Sequence, residues 1–188
     1  MRLNKSLNLV IPIYDETGEH ATAYVHATPI SADTFDNYYK PIGRVLTQIY
    51  SGGYGITAGP RIAHKLLRDV SKEMNIWDGP SGVENGLVAE MHRLTNVLVP
   101  GEKGWEMLTF YDAKKKDLID RDDLQVVEGA LAFFCAESSM RPKSQLRSVL
   151  EAAAALWGAQ ISLLTCTEFL NSLPTSTETE NTGETATA

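Results

Sequence analysis

The stretch nearest to a phosphate cradle is Gly53-Tyr54-Gly55-Ile56-Thr57-Ala58-Gly59, with Pro60 just after it. A dinucleotide fingerprint sets three glycines in a tight turn between a strand and a helix, so that backbone amides and a helix N-terminus meet a pyrophosphate. Here the spacing is one residue too long, the residues before it read as helix, and no lysine follows to make a P-loop. The stretch reads as a helix–helix connector. The four histidines, His20, His26, His64 and His92, form no HxxxH or HExxH pair; the first two flank a strand and the other two lie on separate helices beside charged residues, so no metal site is expected. Asp120, Asp122 and Asp123 lack the alternating ligands, central glycine and distal glutamate of a calcium loop, and their charge suits a helix N-terminus. Ser138 and Ser139 have no histidine at a motif spacing, and no G-x-S-x-G elbow exists. Lys114-Lys115-Lys116 has no interleaved aromatic residue and is a weak nucleic-acid signal. Cys135 and Cys166 sit in apolar helical contexts, outside any CxxC spacing, and read as buried reduced thiols. Together these residues define no catalytic constellation: the expectation is a binding protein that is no enzyme and needs neither cofactor nor metal.

The residues that favour binding are aromatic. Tyr38, Tyr39, Tyr50 and Tyr54 gather around one helix and the loop after it. Tyrosine presents a large apolar body with a polar tip and is enriched where proteins meet, so these four are the candidate protein-binding residues, with ordinary core packing as the alternative. Ala152 to Ala155 permit close approach of a second helix, from the core or from a client.

The elements that must hold these residues follow from periodicity. Leu7–Tyr14 and Ala21–Thr28 alternate in character about the turn Asp15-Glu16-Thr17-Gly18-Glu19 and predict a β-hairpin, with Pro12 marking the first strand as an edge. Ser31 then caps a helix carrying Phe35, Tyr39, Ile42, Val45 and Ile49, which Pro41 should kink. Pro60 is expected at the first position of a second helix. Ser81 and Glu84 suggest a capping box for a third, through Leu87, Val88, Met91 and Leu94, followed by a glycine-rich loop from Pro100 to Gly104. Further helices are expected beyond Asp120, from Pro142 to Trp157, and after a second capping box at Thr165 and Glu168. The predicted fold is mainly α: an N-terminal β-hairpin (1–28), then a compact multi-helix body (31–173) within one globular domain, and a disordered Thr/Glu-rich tail (174–188) with no large apolar residue to repay ordering.

Composition sets outer limits. An apolar share of 43% over 188 residues builds a core, and a net charge of −7 argues against the nucleic-acid backbone as the main partner. Met1-Arg2-Leu3-Asn4-Lys5 leads into a short alternating run, not an apolar signal region, and no stretch approaches the roughly 20 apolar residues of a membrane span. A cytoplasmic protein is expected.

The layout as a whole resembles the tail assembly chaperones of long-tailed phages. The features that carry the resemblance are the strand pair running through Pro29-Ile30-Ser31 into a helix with Phe35, Tyr39 and Ile49, the helical body, and the acidic, threonine-rich terminus after Leu173-Pro174. The resemblance implies a protein of the host cytoplasm that binds the tape measure protein and keeps it soluble before the tail tube polymerises. It also implies a minor longer form, made by programmed frameshifting near the tail, that recruits tail tube protein. Neither nucleic acid nor membrane is implied as a partner, and self-association into a homo-oligomer stays open. A structural virion component, such as a minor tail or head–tail connector protein, is the alternative.

Overall fold

A computed structural model describes residues 6–174. It overturns the mainly α expectation: the hairpin is part of a five-stranded antiparallel sheet of order β4-β3-β2-β1-β5, packed with seven helices. Strands β1 (Asn8–Tyr14) and β2 (Ala21–Ala27) pair as foreseen, from Leu9 opposite Ala27 to Ile13 opposite Ala23. After the third helix, where only a glycine-rich loop from Pro100 to Gly104 was expected, the chain forms β3 (Thr95–Gly101) and β4 (Gly104–Thr109), which turn about Glu102 and Lys103. Strand β3 docks on β2, with Val25 opposite Val97.

Pro12 has a more local effect than demoting all of β1 to an edge. Strand β5 (Gln160–Ser162) covers β1 only from Asn8 to Val10. Pairing stops short of Pro12, whose ring nitrogen has no N–H to offer a ladder.

Alternation decides what each face of the sheet meets. Leu9, Ile11, Ile13, Ala23, Val25 and Val97 point to one side and pack with Val127, Leu131, Phe134 and Phe110. On the other side Val10 and Leu98 are covered by Phe169 of the short helix α7 (Cys166–Ser172), with Tyr24 and Trp105 beside them. Both faces are thus buried, which is why β1 reads as a nearly continuous apolar run.

A second core lies among the helices. Ile42, Val45 and Ile49 of α1 (Ala32–Ser51) meet Leu67 and Val70 of α2 (Gly55–Glu73), with Trp77, Met91 and Phe133. The Ser31 cap forms as predicted, its hydroxyl accepting the Thr34 amide, and α1 bends at Tyr38 just before Pro41. Pro60, in contrast, sits well inside α2, which begins at Gly55. A proline there cannot donate to the carbonyl four residues back, at Ile56. That carbonyl accepts the indole N–H of Trp157 instead, at 3.3 Å, so a side chain 101 residues away in sequence closes the gap left by Pro60.

The Ser81–Glu84 box does not form. Residues Glu84–Val88 make a π-helical turn that runs into α3 (Ala89–Arg93), and Ser81 instead offers its carbonyl to the Tyr38 hydroxyl. After β4 a short α4 (Phe110–Lys115), unforeseen in the sequence, leads to α5 (Arg121–Met140). The Asp120 carboxylate caps α5 by accepting the amides of Asp122 and Asp123, both at 2.8 Å. Helix α6 (Lys143–Leu156) starts after Pro142, and the Thr165–Glu168 capping box opens α7 as expected.

Candidate functional site

The four tyrosines do not form one surface. Tyr38 is half-buried against the helical core, and its hydroxyl lies so close to Gly86 that a Cβ there would meet it at 1.7 Å. Tyr50 donates to the Glu137 carboxylate at 2.5 Å, and Glu137, fully buried, also holds Arg141, whose guanidinium lies 5.0 Å from the Tyr50 ring centre. Burial and the bond to Glu137 raise the Tyr50 hydroxyl above its usual range. Tyr39 and Tyr54 have no such partner role and are 51% and 44% exposed. Tyr39, Gly43 and Tyr50 nevertheless share one stripe of α1, at spacings of four and seven residues. Exposed Met140, at the end of α5, comes beside Gly43, and Tyr54 lies past the helix end with its ring against Gly52. The result is an aromatic strip, open to solvent, with Lys40 and Arg44 following Tyr39 and Gly43 along its outer side.

A polar cluster that sequence spacing did not reveal lies on the other side of α2. Glu128 of α5 is met by three basic side chains from three different helices: Lys114 of α4 at 2.8 Å, His64 Nδ1 of α2 at 3.6 Å, and His92 Nε2 of α3 at 3.6 Å. Only the lysine contact is a hydrogen bond; both imidazoles stand slightly beyond that range. Burial lowers both histidines, His92 to about 4, and the nearby Glu128 carboxylate opposes but does not cancel the effect. At neutral pH both rings are therefore uncharged, and Lys114 is the cation that balances Glu128. The His92 ring packs on Phe110 with centres 4.7 Å apart.

Clefts flank the cluster. One of about 720 Å³ is lined by His92, Arg93, Thr109, Tyr111, Lys114 and Lys115. Another of about 390 Å³ lies between Arg61, His64, Lys65 and Arg68 of α2 and Gln125 and Glu128 of α5. Residues 64, 92, 114 and 128 have no common spacing, so nothing in the sequence announces their meeting. The cationic ridge of α2 was legible: Arg61, Lys65, Arg68 and Lys72 recur at intervals of four, three and four residues, which is one helix face.

The cluster offers charge and hydrogen bonds to a ligand. Among the described residues, no three His, Cys, Asp or Glu side chains are arranged to hold a metal ion. The Gly53–Gly59 stretch cradles nothing in the folded chain, because Gly59 is pressed against the Phe133 ring and Ile49. Burial raises the Cys135 thiol to about 12 and that of Cys166 to about 11, so neither is a thiolate at neutral pH. Among the described residues no helix is long and apolar enough to cross a membrane.

No family model, curated protein or solved structure matches this chain.

Proposed function

We propose that this protein is a phage tail assembly chaperone: it binds the tape measure protein in the host cytoplasm and keeps it soluble until the tail tube polymerises, acting by binding alone. The observation that carries the reading is the solvent-open strip of Tyr39, Gly43, Met140 and Tyr50 on α1 and the end of α5, with exposed Tyr54 just past the end of α1. A long helical client with an exposed apolar face needs such a surface, where aromatic side chains bury area at low entropic cost. A net charge of −7 favours solubility of a crowded assembly intermediate. A longer frameshifted form recruits tail tube protein while the shared body holds the client.

The test is co-expression of the tape measure protein with this chain. The client is expected in the soluble fraction only when the chaperone is present, and the double change Tyr39→Ala and Tyr54→Ala should remove most of that solubility while leaving the chaperone folded. Client solubility indifferent to the chaperone would overturn the reading. So would recovery of this chain in fixed stoichiometry from mature particles.

A further inference from the structure

The cleft between α2 and α5 is walled by two helices held at near contact. Gly129 of α5 leaves so little room that a Cβ there would meet the Pro60 carbonyl oxygen at 2.2 Å and that of Arg61 at 3.1 Å. Just before that contact on α5, Gln125 and Glu128 stand across the opening from Arg61, His64, Lys65 and Arg68 of α2. Its volume of about 390 Å³ falls within the roughly 300–1,000 Å³ range of small-molecule sites.

The cations of this cleft are not answered from within. Arg61 and Lys65 are exposed, and neither has an ion-pair partner among the described residues. Arg68 meets only its chain neighbour Asp69, at 3.8 Å. Glu128 does not neutralise them, because its Oε1 is already bound to Lys114 at 2.8 Å. Like charges four residues apart destabilise a helix, and Arg61 and Lys65 lie too far from the end of α2 for the macrodipole to compensate. A chain of net charge −7 thus keeps two unpaired cations side by side at a cost in local stability. Glu128 carries a second unmet demand. Its side chain is only 15% exposed, yet Oε2 accepts no hydrogen bond among the described residues, since His64 Nδ1 stands 3.6 Å away. In the other cleft most such groups are taken: Arg93 is tied twice to Glu90, Lys114 to Glu128, and the Thr109 hydroxyl to Asp112.

We propose that the α2–α5 cleft is a binding site for a small phosphate monoester that also carries a hydroxyl group, a polyol phosphate in chemical class. Arg61, Lys65 and Arg68 take the phosphate: guanidinium forks match its oxygens in pairs, and the lysine adds a point charge. The ligand hydroxyl donates to Glu128 Oε2, and the Gln125 amide offers both a donor and an acceptor beside it. Lys114, bound to the other oxygen, keeps Glu128 from repelling the dianion. The site lies apart from the α1 strip and does not rest on client binding. A cleft this open to solvent holds such a ligand with a Kd on the order of 1 mM.

The test is an amide NMR titration of the full chain with glycerol 3-phosphate, propyl phosphate and glycerol. It is run at constant ionic strength and at about pH 7, where a phosphate monoester is mostly dianionic. Glycerol 3-phosphate should give saturable shifts confined to residues 61–68 and 125–129. It should bind roughly 3- to 10-fold more tightly than propyl phosphate, which has the same charge and no hydroxyl, as one added hydrogen bond implies. Glycerol alone should not bind. Arg61→Gln with Lys65→Gln, both at exposed positions, should weaken both esters about 10-fold or more. Glu128→Gln should bring the two esters to within about twofold of each other, because a neutral amide is the weaker acceptor. The absence of saturable shifts at concentrations tens of times above the expected Kd would overturn the proposal. So would equal affinity for the two esters in the parent chain, or binding indifferent to the Arg61 and Lys65 changes. A short single-stranded oligonucleotide that saturates the same residues more tightly than glycerol 3-phosphate would also overturn it, by making the cleft part of a nucleic-acid surface.

Discussion

His92 makes the acid side of this protein's stability readable at one residue. Its imidazole titrates near 6.5 when unfolded and at about 4 when folded, because burial among Phe110, Glu128 and Lys114 penalises the charged ring. Above pH 6.5 both states hold it neutral and it contributes nothing to the pH dependence. Between 6.5 and 4 the unfolded chain takes up a proton that the folded chain refuses, so unfolding gains as pH falls, and the penalty is complete below about 4. His26 and His64 are shifted in the same direction by burial. His92→Gln should therefore flatten the fall of Tm between pH 6.5 and 4 relative to the parent chain, whatever it does to Tm at pH 7; parallel curves would show that the ring protonates freely in the fold. Tyr50 gives a second test at this scale, because its hydroxyl donates to the fully buried Glu137. Tyr50→Phe should cost about 1.5–3 kcal/mol, the range for a hydrogen bond to a charged group, in urea unfolding. A cost near zero would mean that Arg141 satisfies Glu137 alone and would return Tyr50 to the surface strip as a binding residue only.

At the scale of elements, α5 comes close to the backbone of α2 at a glycine. A Cβ on Gly129 would sit 2.2 Å from the Pro60 carbonyl oxygen, and backbone cannot swing aside as a side chain can. Gly129→Ala should therefore destabilise the fold by about 1–3 kcal/mol, the usual cost of overpacking, although alanine is the better helix former. A thermal midpoint equal to or above that of the parent chain would show that the helices part without strain. What the sequence disclosed follows the range of the forces involved. The β1–β2 hairpin, the Ser31 cap, the acidic start of the helix at Asp120, the kink near Pro41 and the Thr165–Glu168 box depend on residues a few positions apart, and all are present. Strands β3, β4 and β5 were missed: β3 and β5 each lean on a distant partner, Val97 on Val25 and Gln160–Ser162 on Asn8–Val10, while β4 pairs with β3 across the short turn that the glycines made read as a loop. Pro60 misled for the same reason, since the group that satisfies Ile56 lies on Trp157. The candidate site divides likewise. The tyrosine stripe and the cationic ridge of α2 are periodic along single helices and could be read, whereas the cluster at Glu128 needs four helices and could not.

For the whole molecule the central question is whether the sheet and the helices unfold together. Helix α5 is buried nearly all round from Leu131 to Glu137, with Leu131 and Phe134 in the core against the sheet and Phe133, Cys135 and Ala136 in the core among α1 and α2. Two cores that share one helix cannot dissolve independently without exposing a face of it. Strand β2 is bonded on both sides and β1 carries β5, so the hairpin that opens the chain is the middle of the sheet. A chain beginning at Pro29 would leave β5 without a partner, reduce the sheet to the β3–β4 pair, and uncover Leu131 and Phe134. Each large side chain so exposed, with Val97, Phe110, Val127 and Leu150 of the same core, forfeits about 1.5–3 kcal/mol of burial, a sum comparable with the roughly 5–15 kcal/mol typical of a whole domain. That shortened chain is expected to show no cooperative thermal transition and to bind a hydrophobic dye, while the full chain unfolds in a single transition by both far-UV and tryptophan signals. A cooperative transition in the shortened chain, with helix content in proportion to its length, would show that the core of Ile42, Val45, Ile49, Leu67 and Phe133 stands by itself. The sheet would then be an addition to a helical body and not its partner in folding.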